Sequence, residues 1–243
     1  MRTSQRALNQ LRPLSITTDP NSYAEGSALI TIGGTKVLCT ATVEKNTPKW
    51  LDSKNQGWLT AEYSMLPRAT HTRIKREKAL SGARSQEISR LIARSLRSCI
   101  DLKAIPGKQI FVDCDVLQAD GGTRTAAITG GFVALALALN FIHQKGEISH
   151  IPLNFYIAAV SIGIDKEDIL LDLDYQEDSR IAVDMNFVMN NRNAFIEIQG
   201  TAEKKDFSFE QLQKMSELAQ STSMELFEKQ KSIIGDFFPL DKA

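Results

Sequence analysis

The chain has 243 residues, of which 42% are hydrophobic and 24% charged, and a formal net charge of zero. This composition fits a globular protein able to bury an ordinary core, as one large domain or two small ones, and excludes collagenous, disordered and disulfide-scaffold classes. The neutral total hides segregation. Nine Lys/Arg and two Glu lie between Arg68 and Arg97, and eight acids with two bases lie between Asp165 and Asp184. Such runs suit a polyanion and a divalent cation respectively, or form ordinary solvated surface.

In chain order, MRTSQRALNQLRP has no apolar stretch of signal-peptide type. Residues Ser27–Glu44 alternate apolar positions around Gly33-Gly34, which predicts a β-hairpin whose turn wants positive φ. Residues 47–55 form a polar loop, and Gly57–Leu66 (GWLTAEYSML) reads as a strand stopped by Pro67. From Arg68 to Leu80 there is no clean period, and the segment is expected to be a mobile, positively charged loop. An amphipathic helix is predicted over Ala83–Asp101, with Ile88, Leu91, Ile92, Leu96 and Cys99 on one face. Arg90, Arg94 and Arg97 occupy the other face, covered either by solvent or by a partner subunit. Arg84 breaks the pattern by projecting to the side of Ile88 at the helix N-terminus. A cation there is unfavourable unless an anion neutralises it, which makes Arg84 a candidate phosphate contact. Fraying of the first turn into solvent is the alternative.

The β-branched run Gln109–Leu117 predicts a strand that breaks at Asp120-Gly121-Gly122, after which Thr123-Arg124-Thr125 leads into an apolar helix over Thr125–Gln144. Strand, glycine turn and helix start together aim backbone N–H groups and a positive dipole end at one point. A phosphate fits there, approached closely by the backbone at Gly122 and met by the Thr123 hydroxyl and the Arg124 fork. A tight turn with a solvated arginine is the plainer alternative. The helix is apolar nearly all round and should be central, with Gly130-Gly131 allowing close packing or a kink. Its longest apolar run, Phe132–Ile142, is interrupted by Asn140 and is short for a bilayer span. Cys39, Cys99 and Cys114 sit in apolar patterns and predict reduced, buried thiols in a cytoplasmic protein. His71, His143 and His150 stand at no zinc-ligand spacing from them.

Phe155–Ile164 is the next expected strand. Ile169–Asp174 and Val183–Met189 then form two strands around an acidic turn, Tyr175–Asp178. Asp172 and Asp174 are expected on one face of the first strand, Asp184 and Asn186 on one face of the second, and Asp178 in the turn. Converging carboxylates repel unless a cation or Arg lies between them, and one or two suffice for a magnesium ion that keeps its waters. After a turn at Asn190–Asn193 comes a strand over Ala194–Gln199. A last helix opens at Ser208, with Gln211 completing a capping box and a Phe207/Leu212 staple, and runs to about Ile234. The chain contains no solenoid repeat.

Taken together, GWLTAEYSMLPRAT (57–70), SQEISRLIARSLR (85–97), VDCDVLQADGGTRTAAITGG (112–131), LLDLDYQEDS (170–179), DMN (184–186) and EIQGTAE (197–203) resemble the bacterial ribonuclease PH family, in its order and spacing over nearly the whole chain. The resemblance implies a mixed α/β (α+β) fold of two βαβα-type halves, related to the ribosomal protein S5 domain 2-like fold, as one domain over residues 1–243. It implies a phosphate-dependent 3′-exoribonuclease that trims transfer-RNA precursors, with inorganic phosphate as co-substrate and a divalent metal, magnesium. It also implies a hexamer built as a trimer of dimers. Carried over by position, the phosphate site is Arg84, Gly122, Thr123 and Arg124; the catalytic and metal-binding carboxylates are Asp178 and Asp184; and Arg68, Arg73 and Arg76 lie near the RNA. Ala83 and Ala93 depart from the family's usual glycines, and Ser4-Gln5 from a common Asp-Gly. The rival readings are a non-catalytic ring subunit and a metal-dependent hydrolytic nuclease.

Overall fold

The computed structural model describes residues 2, 5–51, 54–77 and 82–239. Residues 78–80 of the predicted basic loop, and Ser4, lie outside them. The hairpin forms as expected: β2 (Gly26–Ile32) and β3 (Thr35–Glu44) pair antiparallel, Ile32 facing Thr35, across a turn in which Gly33 has φ 55°. An unanticipated strand, β1 (Leu14–Thr18), adds to the hairpin's edge, while β4 (Trp58–Met65) and β5 (Gln109–Gln118) complete a sheet of order β1-β2-β3-β5-β4. Only β4 and β5 run parallel. A parallel pair needs a crossover, and helix α1 (Ala83–Cys99) supplies it. α1 is two residues shorter than predicted, because Ile100 bridges to Leu153 and Asp101 caps a short 3₁₀ turn by accepting from the Lys103 amide.

Helix α2 (Thr123–Gln144) packs on β2 and β3 and, with another side, on β6 (Ile157–Asp165) of a second sheet. That sheet has the order β7-β6-β8-β9, all antiparallel, with β7 at Asp168–Leu171, β8 at Val183–Asn190 and β9 at Phe195–Ala202. A single helical turn, α3 (Tyr175–Asp178), links β7 to β8, and α4 (Phe209–Ile234) covers β6 and β8. Strand β6 is therefore covered on both faces, which explains its almost wholly apolar sequence, with Ser161 the polar exception before the closing Asp165. The core runs without a break from Ile30 and Val112 through Phe132 to Tyr156, Val188 and Phe227.

The all-round apolar character of α2 follows from its place between two sheets. At 22 residues and a windowed hydropathy of 1.9 it is long and apolar enough to cross a membrane, yet 83% of that window is buried inside the fold. Gly130 serves close packing: a Cβ there would stand 2.7 Å from Ile30 Cγ2 and 3.0 Å from Cys39 Sγ. The helix runs through it uninterrupted. All three cysteines are buried and reduced. Helix α4 opens with the expected reciprocal box, the Ser208 amide donating to Gln211 Oε1 at 2.9 Å and the Gln211 amide to Ser208 Oγ at 3.2 Å.

Candidate active site

The glycine turn is built by its neighbours. Gly121 and Gly122 both adopt the left-handed region, with φ 74° and 64°. A Cβ on Gly121 would lie 2.2 Å from the Leu173 carbonyl oxygen, so its absence lets the turn rest directly on the backbone leading into α3. Two residues about fifty positions apart in the chain thereby become neighbours. Thr35 Oγ1 fastens the turn from below, donating to the Gly121 carbonyl at 2.6 Å and accepting from the Asp120 amide at 2.9 Å. Behind it lies Arg12, buried, whose guanidinium donates to the Asp120 and Gly121 carbonyls.

Gly122 is the N-cap of α2 and Gly82 that of α1, and neither gives a side-chain cap or is followed by an acid in the first turn. α3 and α4, by contrast, carry complete capping boxes. The two uncapped helix starts flank one cavity of about 630 Å³, lined by Arg84 from α1 and by Gly122, Thr123 and Arg124 from α2. N–H groups without caps at the positive ends of two dipoles, beside two arginines, form an anion site. Arg84 is exposed into this cavity rather than tucked under the helix. Arg124 Nη1 donates to Gln199 Oε1 at 2.6 Å and lies 3.4 Å from Glu87, to which Gln199 Nε2 also donates at 2.8 Å. The Thr123 hydroxyl shares a 2.7 Å hydrogen bond with Tyr63, whose phenol burial pushes up in pKa.

The opposite wall carries Asp178, from the end of α3, and Asp184 and Asn186, from one face of β8, as the alternation predicted. Desolvation raises the Asp178 carboxyl and Arg84 opposes the rise. Desolvation, and then Asp178, push Asp184 up to about 6, with Arg124 working against them. Asp172 and Asp174 do not share a strand face as expected. β7 ends at Leu171, Asp174 caps α3, and Asp172 turns inward at φ 52° to meet Arg12 Nε at 2.9 Å and Nη2 at 2.8 Å. The reason is an N-terminal arginine set without any periodic signal. Arg12 and Arg6 pair with Asp172, and Arg2 reaches the fully buried Glu177 of α3 at 2.7 and 2.8 Å. These pairs seat α3 so that Asp178, the next residue, faces the cavity.

Arg68 is exposed and lines an adjoining cavity, while Arg73, on the loop, and Arg76, in a helical turn with Glu77, are exposed and line neither. The arginine face of α1 is partly used within the chain: Arg94 pairs with Glu197, and Arg97 donates to the Leu59 carbonyl and lies over the Trp58 ring. Sequence reasoning missed Arg12, Tyr63, Gln199 and Glu203, the last of which also lines the main cavity. Tyr63, within GWLTAEYSMLPRAT, and Gln199 and Glu203, within EIQGTAE, lay in motifs the sequence already singled out, whereas Arg12 lay in none.

Paired arginines at two helix starts, opposed by desolvated carboxylates, define an enzyme that handles phosphoryl groups. The 3′ exoribonuclease family model matches residues 10–139 with its domain 1 and residues 156–222 with its domain 2. Ribonuclease PH of Bdellovibrio bacteriovorus is 55% identical over 240 residues, covering 99% of each chain. Among solved structures, rice (Oryza sativa) Rrp46 aligns with a TM-score of 0.78 at 23% identity, over 96% of this chain and 100% of that one. The Archaeoglobus fulgidus exosome with RNA bound to the active site aligns at 0.81 and 21%, over 94% and 92%. The chain belongs to the ribonuclease PH family of 3′ exoribonucleases. Its activity is phosphorolytic 3′-to-5′ shortening of RNA, and trimming transfer-RNA 3′ ends is the family's known role.

Proposed function

We propose that orthophosphate, the co-substrate, lodges between Arg84 and the turn Gly122–Arg124 and attacks the terminal phosphodiester of an RNA in line. A new P–O bond forms to the incoming phosphate as the bond to the penultimate 3′-oxygen breaks. The products are a nucleoside diphosphate and an RNA one nucleotide shorter with a free 3′-hydroxyl. The observation that carries this assignment is the single cavity of about 630 Å³ that gathers Arg84, Gly122, Thr123, Arg124, Asp178 and Asp184 from distant parts of the chain. Orthophosphate is already nucleophilic at neutral pH, so positioning and charge neutralisation dominate. One of the two carboxylates, Asp178 or Asp184, is placed to assist proton delivery to the departing oxygen.

Asp178 and Asp184 fit a divalent ion. Two carboxylates raised by burial, one also by the other's charge, gain from a cation between them. Magnesium, bound through one or two carboxylates with retained waters, matches this pair. When bound, the ion would stabilise charge on the phosphoryl oxygens. Arg68, Arg73 and Arg76 would steer the RNA backbone. The physiological substrates are transfer-RNA precursor 3′ ends, the assembly is a hexamer built as a trimer of dimers, and the setting is cytoplasmic, where thiols such as Cys39, Cys99 and Cys114 stay reduced.

The test is product identity from a short RNA, with and without phosphate. Diphosphates formed only with phosphate support the assignment, monophosphates would mean hydrolysis, and no product would mean a structural subunit. Arg124→Ala or Asp184→Asn should each lower turnover on the order of 10²–10³-fold. The triple substitution of Arg68, Arg73 and Arg76 should flatten the salt dependence of RNA binding, and an unchanged slope would remove the loop from the binding surface.

A further inference from the structure

Next to the main cavity lies a second, of about 440 Å³, which shares Thr70, Ala119 and Tyr175 with it. Its aromatic wall is Tyr175 and His71, with ring centroids 5.9 Å apart and planes inclined at 54°. Tyr175 is 52% exposed although it opens a helix already stabilised by a full capping box, so neither helix formation nor core packing accounts for an aromatic side chain there. The wall is held in place. The Tyr175 amide donates to Asp120 Oδ1 at 3.3 Å, and the Ala119 amide to the Ala69 carbonyl at 2.8 Å. Arg68 Nη1 donates to the His71 carbonyl at 2.9 Å. Arg68, the Asp120 carboxylate and the side-chain amides of Gln118 and Gln176 also line the cavity.

From these placements we propose that the second cavity is a nucleobase subsite, in which a base adjoining the scissile linkage of the RNA stacks on Tyr175 beside His71. The proposal rests on phosphorolysis in the main cavity for its placement, since a phosphodiester lying in line with the orthophosphate at the glycine turn brings a neighbouring base to the shared Tyr175 wall. An exposed phenol ring offers a π-face that any base can cover, with an arginine close by for the backbone. Selectivity among bases would be weak, because stacking is tolerant of base identity.

RNA binding measured by fluorescence anisotropy in phosphate-free buffer reads this subsite independently of the cleavage chemistry. An intact oligonucleotide is compared with ones abasic at the last or the penultimate position, on the wild type, Tyr175→Ala and Tyr175→Phe. In the wild type, one abasic position should weaken binding about tenfold. Tyr175→Ala should lose a similar factor on intact RNA and show no further abasic penalty, while Tyr175→Phe should stay near wild type. Unchanged binding in Tyr175→Ala, or an abasic penalty that survives it, would overturn the subsite. Monophosphate products in the separate cleavage assay would instead overturn phosphorolysis and leave the stacking result standing.

Discussion

Burial and the neighbouring Asp178 hold the Asp184 carboxyl at about 6, against an ordinary value of 3.8. Between those two values the folded protein keeps a proton that the unfolded chain has lost. Stability therefore falls as pH rises through that window, and the penalty is complete above it. Asp184→Asn should accordingly stabilise the metal-free protein at pH 7 by roughly 1–3 kcal/mol, and by little near pH 4, while activity collapses. Thermal melts in chelator at both pH values check this, and equal effects at the two would refute it. The converging pair Asp178/Asp184 was legible because strand alternation and turn position are local properties. Asp172 was not, since its fate depends on Arg12, 160 residues away. Gln5 stands where the family's common Asp-Gly has glycine and takes φ 55°, a strain that sequence comparison alone could only mark as a departure.

At the scale of elements, the N-terminal segment acts as a brace for the site. Arg12 joins Asp172 to the carbonyls of the glycine turn, and Arg2 ties Glu177 of α3 to the Leu171 carbonyl at 2.6 Å. Removing one partner of a buried pair leaves the other charge uncompensated, so Arg12→Ala should cost about 3–5 kcal/mol. Arg12→Lys should restore little, because an ammonium cannot meet both carboxylate oxygens and the two carbonyls in one plane. Denaturant midpoints of the two variants decide this, and a lysine variant of wild-type stability would contradict the fork geometry. The hairpin at Gly33, the capping box at Ser208 and the apolar helix α2 were readable because each has a short-range signature. β1 was missed because LSITT is brief and half exposed, and gains its place only by pairing with β2.

For the whole molecule, α2 is shared by both sheets, which is why the two halves present their functional residues to one cavity. The proposed hexamer predicts a sedimentation coefficient far above that of a 27.0 kDa monomer, and a monomer at micromolar concentration would contradict the ring. Collinear motifs made the architecture legible from sequence; the brace and the Tyr175 wall, made of contacts between distant segments, were not. The most direct test of the central claim is calorimetric binding of orthophosphate to the wild type, Arg84→Ala and Arg124→Ala, with melts to confirm folding. Saturable binding that each substitution weakens by tenfold or more is the expected result. Binding of equal strength in all three proteins would contradict an orthophosphate held between α1 and the glycine turn.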